Sequence, residues 1–118
     1  MKGPTTEEIF EKVKTHLLDQ GQQSIDKNGG CAYRGAEGRK CAIGCLIADE
    51  FYSKDLEGTG SCDKGVKNAI KASIGREVTK TEAVMLSELQ YMHDRQLPGE
   101  WKTQLDTMHG SLRAEGLI

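Results

Sequence analysis

The sequence lacks long apolar runs. No stretch of its 118 residues approaches the length of a membrane-spanning helix, and residues 1–8 contain one lysine with no apolar run behind it. Neither a transmembrane segment nor a secretory signal peptide is therefore expected. These absences predict a cytoplasmic protein that does not contact membranes.

An excess of charge of one sign is also missing. The 16 Lys and Arg residues face 18 Asp and Glu residues, which gives a formal net charge of −2. Because binding to duplex nucleic acid depends on neutralising many phosphates, bulk binding to duplexes is not expected. Internal repeats, coiled-coil heptads and low-complexity tracts are absent too, and the length is typical of one domain. We expect a single domain over residues 1–118.

Helical spacing of apolar residues recurs in five segments, which begin at Thr5, Cys45, Cys62, Thr79 and Pro98. Two of these segments open with a capping box, formed by Thr5 with Glu8 and by Thr79 with Glu82. Residues 45–52 are short and very apolar, which predicts a buried helix at the centre of the domain. The sequence therefore predicts about five helices.

Residues 31–43 form two short runs around a glycine-containing turn, a pattern that predicts a β-hairpin. If Gly38 is left-handed, the register pairs Tyr33 with Cys41 and Cys31 with Ile43. Those four side chains then share an apolar face, and the opposite face carries Ala32, Arg34, Lys40 and Ala42. The expected fold class is α+β, a mainly helical single domain with one β-hairpin.

Positive charge is concentrated near the predicted hairpin tip, at Arg34, Arg39 and Lys40. Guanidinium groups favour bidentate contacts with carboxylates and phosphates, so these residues are candidates for binding an anion or an acidic partner. Glu57, in the adjoining loop over residues 53–61, completes the predicted binding site. The alternative is that these charges only keep an exposed strand edge from pairing with other chains.

A cysteine-dependent hydrolase is a second hypothesis. Cys45 follows Gly44 at the start of a predicted helix, where the helix dipole would stabilise a thiolate, and His93 could act as the base. Asp94 is not expected to orient His93, because adjacent residues on a helix point in different directions. The sequence also lacks an oxyanion motif, so a binding protein is the more favoured class.

A zinc-stabilised module is a third hypothesis. The four cysteines Cys31, Cys41, Cys45 and Cys62 would suffice for a tetrahedral site, with nitrogen from His16, His93 or His109. The paired C-x-x-C spacing that holds most structural zinc is missing. The favoured interpretation is therefore that the thiols are reduced and buried, with no metal and no cofactor.

Two segments of the sequence resemble a known family. Residues 31–35 (Cys-Ala-Tyr-Arg-Gly) and 38–47 (Gly-Arg-Lys-Cys-Ala-Ile-Gly-Cys-Leu-Ile) are similar to small proteins encoded by tailed bacteriophages and some bacteria. The likeness continues through residues 49–52 and 56–58. It then includes Leu89-Gln90 with His93-Asp94, and Pro98 with Trp101, and so spans nearly the whole chain.

This resemblance implies a setting but supplies no catalytic or binding residues. A small phage protein made inside a bacterium most often acts by binding a component of the host. The resemblance therefore implies an accessory protein of the host cell cytoplasm that binds a host protein or a small anionic ligand, as an inhibitor or anti-defence factor. Family context of this kind remains an analogy.

Overall fold

The computed structural model of the chain describes residues 3–25, 32–58 and 63–118. Its regular structure there consists of four α-helices: α1 (Thr6–Gln20), α2 (Lys64–Ile74), α3 (Lys80–Arg95) and α4 (Trp101–Ala114). Between α1 and α2 the described chain forms only short 3-10 turns, at Ala36–Gly38, Gly44–Leu46, Asp49–Phe51 and Lys54–Leu56. None of the helices in these ranges is long and apolar enough to span a bilayer.

The helix ends follow local sequence signals. Both predicted capping boxes are present, at Thr5 with Glu8 and at Thr79 with Glu82. Helix α1 ends at Gly21, whose φ of 64° is left-handed and which donates its N–H to Leu17 O. Such a C-terminal glycine satisfies one of the last carbonyls of a helix. The predicted start and end of the first helix are confirmed.

The buried apolar residues form one cluster, to which all four helices contribute. The largest fully buried side chains include Phe10 of α1, Leu89 of α3 and Trp101 of α4. The segment between α1 and α2 also enters this cluster, through Tyr33, Cys41, Ala42, Ile43, Leu46 and Ile47. A stretch without regular strands or long helices thus fills the centre of the core.

The predicted β-hairpin is wrong, and with it the α+β fold class. Residues 32–58 contain one isolated antiparallel bridge, Arg34 with Lys40, and the described part of the chain has no sheet. The reason lies in competition for backbone N–H groups. Glu57 accepts the N–H groups of Tyr33 and Arg34, and Gln20 of α1 accepts that of Lys40. Of these three donors, the Tyr33 N–H is the one that the hairpin would pair with Cys41 O, and Glu57 accepts it instead. The N–H groups of Arg34 and Lys40 point away from the opposite strand, because the bridge is flanked by the bonds from Gly35 N–H to Arg39 O and from Cys41 N–H to Tyr33 O.

What remains of the expected turn is local. Gly38 has a φ of 74°, as predicted, and the Arg34–Lys40 bridge is the pairing that the predicted turn would give. The two-faced arrangement is wrong, because Ala32 and Ala42 are buried instead of facing outward. The cross-pairing predicted for Cys31 lies outside the described residues.

The helix predicted over residues 45–52 is also wrong, so the described residues have four α-helices instead of five. Ile47 and Ala48 adopt extended conformations, with ψ of 117° and 151°, and separate two 3-10 turns. The N–H of Ala48 donates to Ser73 Oγ of α2 at 2.8 Å. Phe51, predicted to be buried, is exposed. The hydrogen bond from Ala48 N–H to Ser73 of α2 thus replaces the bond that Ala48 would make within a continuing helix.

Gly44 permits the close packing at this centre. A Cβ atom built at Gly44 would overlap Tyr33 O, whereas one built at Gly99 meets no atom within 4 Å. The backbone at position 44 can therefore lie this close to Tyr33 O only if residue 44 is a glycine, which has no Cβ atom.

We expect Gly44→Ala to lower the free energy of unfolding by about 2 kcal/mol, because the added methyl group forces the backbone at Tyr33 to move. Urea denaturation measures this loss. The control Gly99→Ala should change the free energy by less than about 0.5 kcal/mol. Equal values for the two variants would contradict the packing described above.

A buried ion pair joins the start of α3 to the start of α1. Arg76 Nη2 lies 2.6 Å from Glu82 Oε2, and Glu82 is 1% exposed. Thr6 Oγ1 also donates to Glu82, and Arg76 donates to Pro4 O. The Arg76 guanidinium, with help from Thr6 and Thr79, lowers the pKa of Glu82 from 4.5 to about 2 although burial opposes this.

The lowered pKa of Glu82 makes stability depend on pH in one direction. The carboxylate stabilises the fold above its unfolded pKa, and this contribution is lost as the pH falls from about 5 towards 2. Glu82→Gln should lower the free energy of unfolding at neutral pH by about 3 kcal/mol, since it leaves Arg76 without its partner. It should also flatten the acid limb of a stability–pH curve.

The matched control for this variant is Glu88→Gln, because Glu88 is an exposed carboxylate on the same helix. Its stability–pH curve, measured by urea denaturation, should overlay that of the parent protein. An acid limb that persists unchanged in Glu82→Gln would show that other carboxylates carry the pH dependence.

Candidate functional site

The guanidinium group of Arg34 lies over an aromatic ring. Its guanidinium carbon lies 4.4 Å from the centroid of the Tyr52 ring. Nη2 donates to Ile47 O at 3.0 Å and pairs with Asp49 Oδ1 at 2.7 Å. We call this arrangement of Arg34, Ile47, Asp49 and Tyr52 the Arg34 clamp. Stacking and a carbonyl fix the cation in one orientation.

The carboxylate in this clamp is open to solvent. The side chain of Asp49 is 86% exposed, whereas that of Arg34 is 23% exposed. An exposed ion pair contributes little free energy, so water or another anion can take the place of Asp49 at small cost. The guanidinium is therefore a fixed group with an exchangeable partner.

One nitrogen of the Arg34 guanidinium lacks an acceptor. Nε is buried and has no hydrogen-bond partner within the described ranges. Nε and Nη2 share one edge of the guanidinium, and a bidentate carboxylate or phosphate can accept from both. Asp49 reaches Nη2 only. An anion in its place could satisfy the free N–H, whose unpaired burial is costly.

Glu57 fixes the backbone and the ring that carry the clamp. Its carboxylate accepts the N–H groups of Tyr33 and Arg34, at 2.9 and 3.0 Å, and the hydroxyl of Tyr52 at 2.6 Å. Burial and the neighbouring Glu57 carboxylate raise the pKa of Tyr52 to about 12. The hydroxyl therefore stays protonated at neutral pH and remains a donor. Glu57 therefore positions Arg34 and Tyr52 through their backbone and hydroxyl groups.

The structure brings Lys40 to Arg34 but engages Arg39 elsewhere. The side chains of residues directly opposite in an antiparallel bridge project to the same face. The side chains of Arg34 and Lys40 therefore point to the same side of the backbone. The backbone of Lys40 is held by α1: Gln20 and His16 donate to its carbonyl, at 2.9 Å each. The guanidinium of Arg39 pairs with Glu37 at 3.3 Å. Two of the three predicted cations thus share one face.

His93 is enclosed by hydrogen bonds. The N–H of Ser24 donates to Nε2 at 2.9 Å, so Nε2 carries no proton and Nδ1 donates to Asp94 Oδ1 at 2.8 Å. The ring is fully buried and stacks on Trp101. The expectation that Asp94 would not orient His93 is wrong, because the short side chain of Asp94 bends back to its neighbour and is held there by Gln90.

Both described cysteines have the features of structural thiols. Burial raises the pKa of Cys41 and of Cys45 to about 12 each. Cys45 Sγ donates to Ala42 O at 3.1 Å, and Cys41 Sγ accepts the N–H of Gly44 at 3.3 Å. A nucleophilic cysteine needs a lowered pKa and a base with a free nitrogen. Cys45 lacks the first and His93 the second, which weighs against the hydrolase hypothesis.

Of the four cysteines in the zinc hypothesis, the structure describes Cys41 and Cys45. Cys31 and Cys62 lie outside the described residues. Among the described ones, no group of three or more His, Cys, Asp or Glu side chains is arranged to hold a metal ion. His16 donates to Lys40 O, and His109 lies 3.8 Å from Glu11 and 3.9 Å from Glu7 of α1. Neither histidine is directed at Cys41 or Cys45.

Sequence reasoning missed the residues that support this site. Gln20 and Gln90 accept the backbone N–H groups of Lys40 and Ile43, and Ser73 accepts that of Ala48. A polar side chain beside the apolar stripe of a predicted helix, such as Gln90 next to Leu89, is the sequence signal that could have indicated these acceptors. Tyr52, which belongs to the segment predicted as a buried helix, is half-buried and lies under the Arg34 guanidinium.

Comparisons with family models, with curated proteins and with solved structures found no match for this chain. The resemblance to the phage-encoded family therefore stays a prediction.

We expect Cys45 to react slowly with iodoacetamide at neutral pH, because a pKa of about 12 leaves almost no thiolate. Peptide mapping should give an alkylation rate on the order of a hundredfold or more below that of the same residue in denatured protein. The denatured sample is the control. Rapid labelling of Cys45 in the folded protein would restore the hydrolase hypothesis.

Proposed function

We propose that this protein is a non-catalytic binding protein that recognises an anionic group at the Arg34 clamp. In the setting implied by the family resemblance, it acts as an accessory factor in the host cytoplasm. It binds a host protein or a small anionic ligand there, as an inhibitor or anti-defence factor. The predicted residues Arg34, Arg39, Lys40 and Glu57 divide into those that contact the anion and those that position them.

The observation that supports this proposal is that the Arg34 guanidinium is fixed, whereas its carboxylate partner can be replaced. Arg34 is oriented by the Tyr52 ring and the Ile47 carbonyl, and its carboxylate partner Asp49 is 86% exposed. A preorganised cation loses little conformational freedom on binding, so more of the interaction energy contributes to affinity. Carboxylates and phosphates match this planar fork.

Lys40 and Arg39 have lesser parts in this proposal. Lys40 projects to the same face as Arg34 and adds a second positive charge that attracts the anion. Arg39, paired with Glu37 at the turn, lies at the margin. Glu57 holds the backbone of Arg34 and the hydroxyl of Tyr52, so it positions the clamp and does not contact the ligand.

Asp49→Asn and Arg34→Lys test the site in opposite directions. Asp49→Asn removes the competing carboxylate and should strengthen anion binding about threefold, within the range of exposed ion pairs. Arg34→Lys keeps the charge but loses the fork, and it should weaken binding about tenfold. Titrations with phosphate, acetate and an aspartate-rich peptide measure both effects through the NMR shifts of the backbone N–H groups of the clamp. In the parent protein and in Asp49→Asn, the Arg34 Nε–H is a second probe.

The control variant is Arg113→Lys, because Arg113 is a surface arginine of α4 that pairs with Glu7, outside the clamp. It should bind as the parent protein does. Saturation by phosphate or acetate identifies a small ligand, whereas saturation by the peptide alone identifies an acidic protein surface. The proposal fails if none of the three probes saturates, or if Asp49→Asn weakens their binding.

A further inference from the structure

A groove runs along the outer side of α3 and α4. Two openings of about 400 and 420 Å³ lie between these helices and share Glu88 and Met108 among their walls. The two openings are therefore neighbours along these helices, with Glu88 and Met108 between them. We call them together the α3–α4 groove and define it by six residues: Val84, Glu88 and Tyr91 on α3, Gln104 and Met108 on α4, and Glu115 after α4.

Three methionine side chains are among the residues that line this groove. Met85, Met92 and Met108 all line it, and they are three of the four methionines in the chain. Met85 and Met92 are buried, and Met108 is partly buried against the core. Methionine is unbranched and polarizable, so a surface rich in it adapts to apolar side chains of varied shape.

Exposed apolar side chains border the groove. Val84 and Tyr91 are each 61% exposed and lie about two turns apart on the same side of α3. Leu97, just beyond the end of α3, is 70% exposed. In the described ranges only Leu18 and Phe51 join them as exposed large hydrophobic residues. Val84 and Tyr91 line the groove itself, and Leu97 follows Gln96, which also lines it. Exposed apolar side chains at a groove are typical of a protein interaction site.

The charge of the groove has one sign. Its only charged lining residues are Glu88 and Glu115, and no Lys or Arg is among the residues that line it. Within the described parts of the chain, neither carboxylate lies within 4.0 Å of a cationic nitrogen. An occupant with apolar side chains and basic residues would complement both properties.

We propose that the α3–α4 groove binds a basic amphipathic helix of another protein. One apolar anchor packs in each opening against the methionine side chains, and Lys or Arg side chains of the partner pair with Glu88 and Glu115. The groove extends from Thr81 to Gln96, roughly 22 Å along α3, which accommodates a helix of about 15 residues.

A second copy of this chain is a poorer occupant. Two identical grooves facing each other about a two-fold axis bring like carboxylates together, because Glu88 and Glu115 are the only charged residues that line the groove in the described part of the chain. Arg95 lies at its border, 5.7 Å over the Tyr91 ring, and is not among the lining residues. Like-charge contacts across an interface cost free energy. The charge pattern therefore favours a different, basic partner.

The test uses a model peptide with leucine along one helical face and lysine along the other, of about 18 residues. Fluorescence anisotropy of the labelled peptide should show saturable binding. A peptide with glutamate in place of lysine should bind at least about tenfold more weakly, since its charges repel those of the groove. Amide shifts mapped by NMR should cluster on α3 and α4.

Two double charge variants separate the groove from general charge, and a third double variant tests its apolar border. Glu88→Lys with Glu115→Lys should weaken peptide binding at least about tenfold. Asp19→Lys with Asp55→Lys changes the net charge equally at exposed sites outside the groove, and it should change binding less than about twofold. Val84→Ser with Tyr91→Ser removes the apolar border without touching the core and should also weaken binding about tenfold.

Several outcomes would overturn this inference. They are the absence of saturable binding by the lysine peptide, equal binding of the glutamate peptide, and equal losses in the two charge variants. A dimer in sedimentation experiments that dissociates in Val84→Ser with Tyr91→Ser would instead assign the groove to self-association. Arg34→Lys should leave peptide binding unchanged, so failure of this proposal is distinguishable from failure of the Arg34 clamp.

Discussion

Hydrogen bonds from helix side chains to an irregular backbone hold the centre of this protein together. Residues 32–58 enter the core without a strand ladder or an α-helix, so the N–H groups of this segment need other acceptors. Gln20, Gln90 and Ser73, from three different helices, accept those of Lys40, Ile43 and Ala48. A buried segment of this kind is stable only while those partners stay in place.

The Arg34 clamp depends directly on that arrangement. Glu57 accepts the N–H of Arg34 and the hydroxyl of Tyr52, so the guanidinium and the ring that supports it share one anchor. Ile47, whose carbonyl accepts from Arg34, lies in the extended link that Ser73 helps to hold through Ala48. The binding site that we propose is thus a product of tertiary hydrogen bonding, although all its side chains come from one stretch of sequence.

The α3–α4 groove has a different origin. It follows from helical periodicity, because the residues that line it recur along two packed helices. It is far less dependent on the irregular segment, and its acidic, apolar character contrasts with the basic Arg34 clamp. The two proposals therefore assign chemically different partners to two separate surfaces. The buried Arg76–Glu82 pair supports the groove indirectly by fixing the start of α3 against α1.

Particular residues show what the sequence by itself determined. The ends of α1 and the start of α3 follow from Thr5, Gly21 and Thr79, since capping depends on neighbours within one turn. The left-handed Gly38 and the apolar stripes of the helices are local signals of the same kind.

Only the tertiary structure decided the conformation of residues 32–58. The hairpin pattern lost the Tyr33 N–H to Glu57, and the helical pattern over residues 45–52 lost the Ala48 N–H to Ser73. Asp94 turned back to His93 because Gln90 and the burial of the ring hold it there. These partners lie far away in sequence or depend on packing, and local periodicity carries no information about which distant side chain will meet a given N–H group.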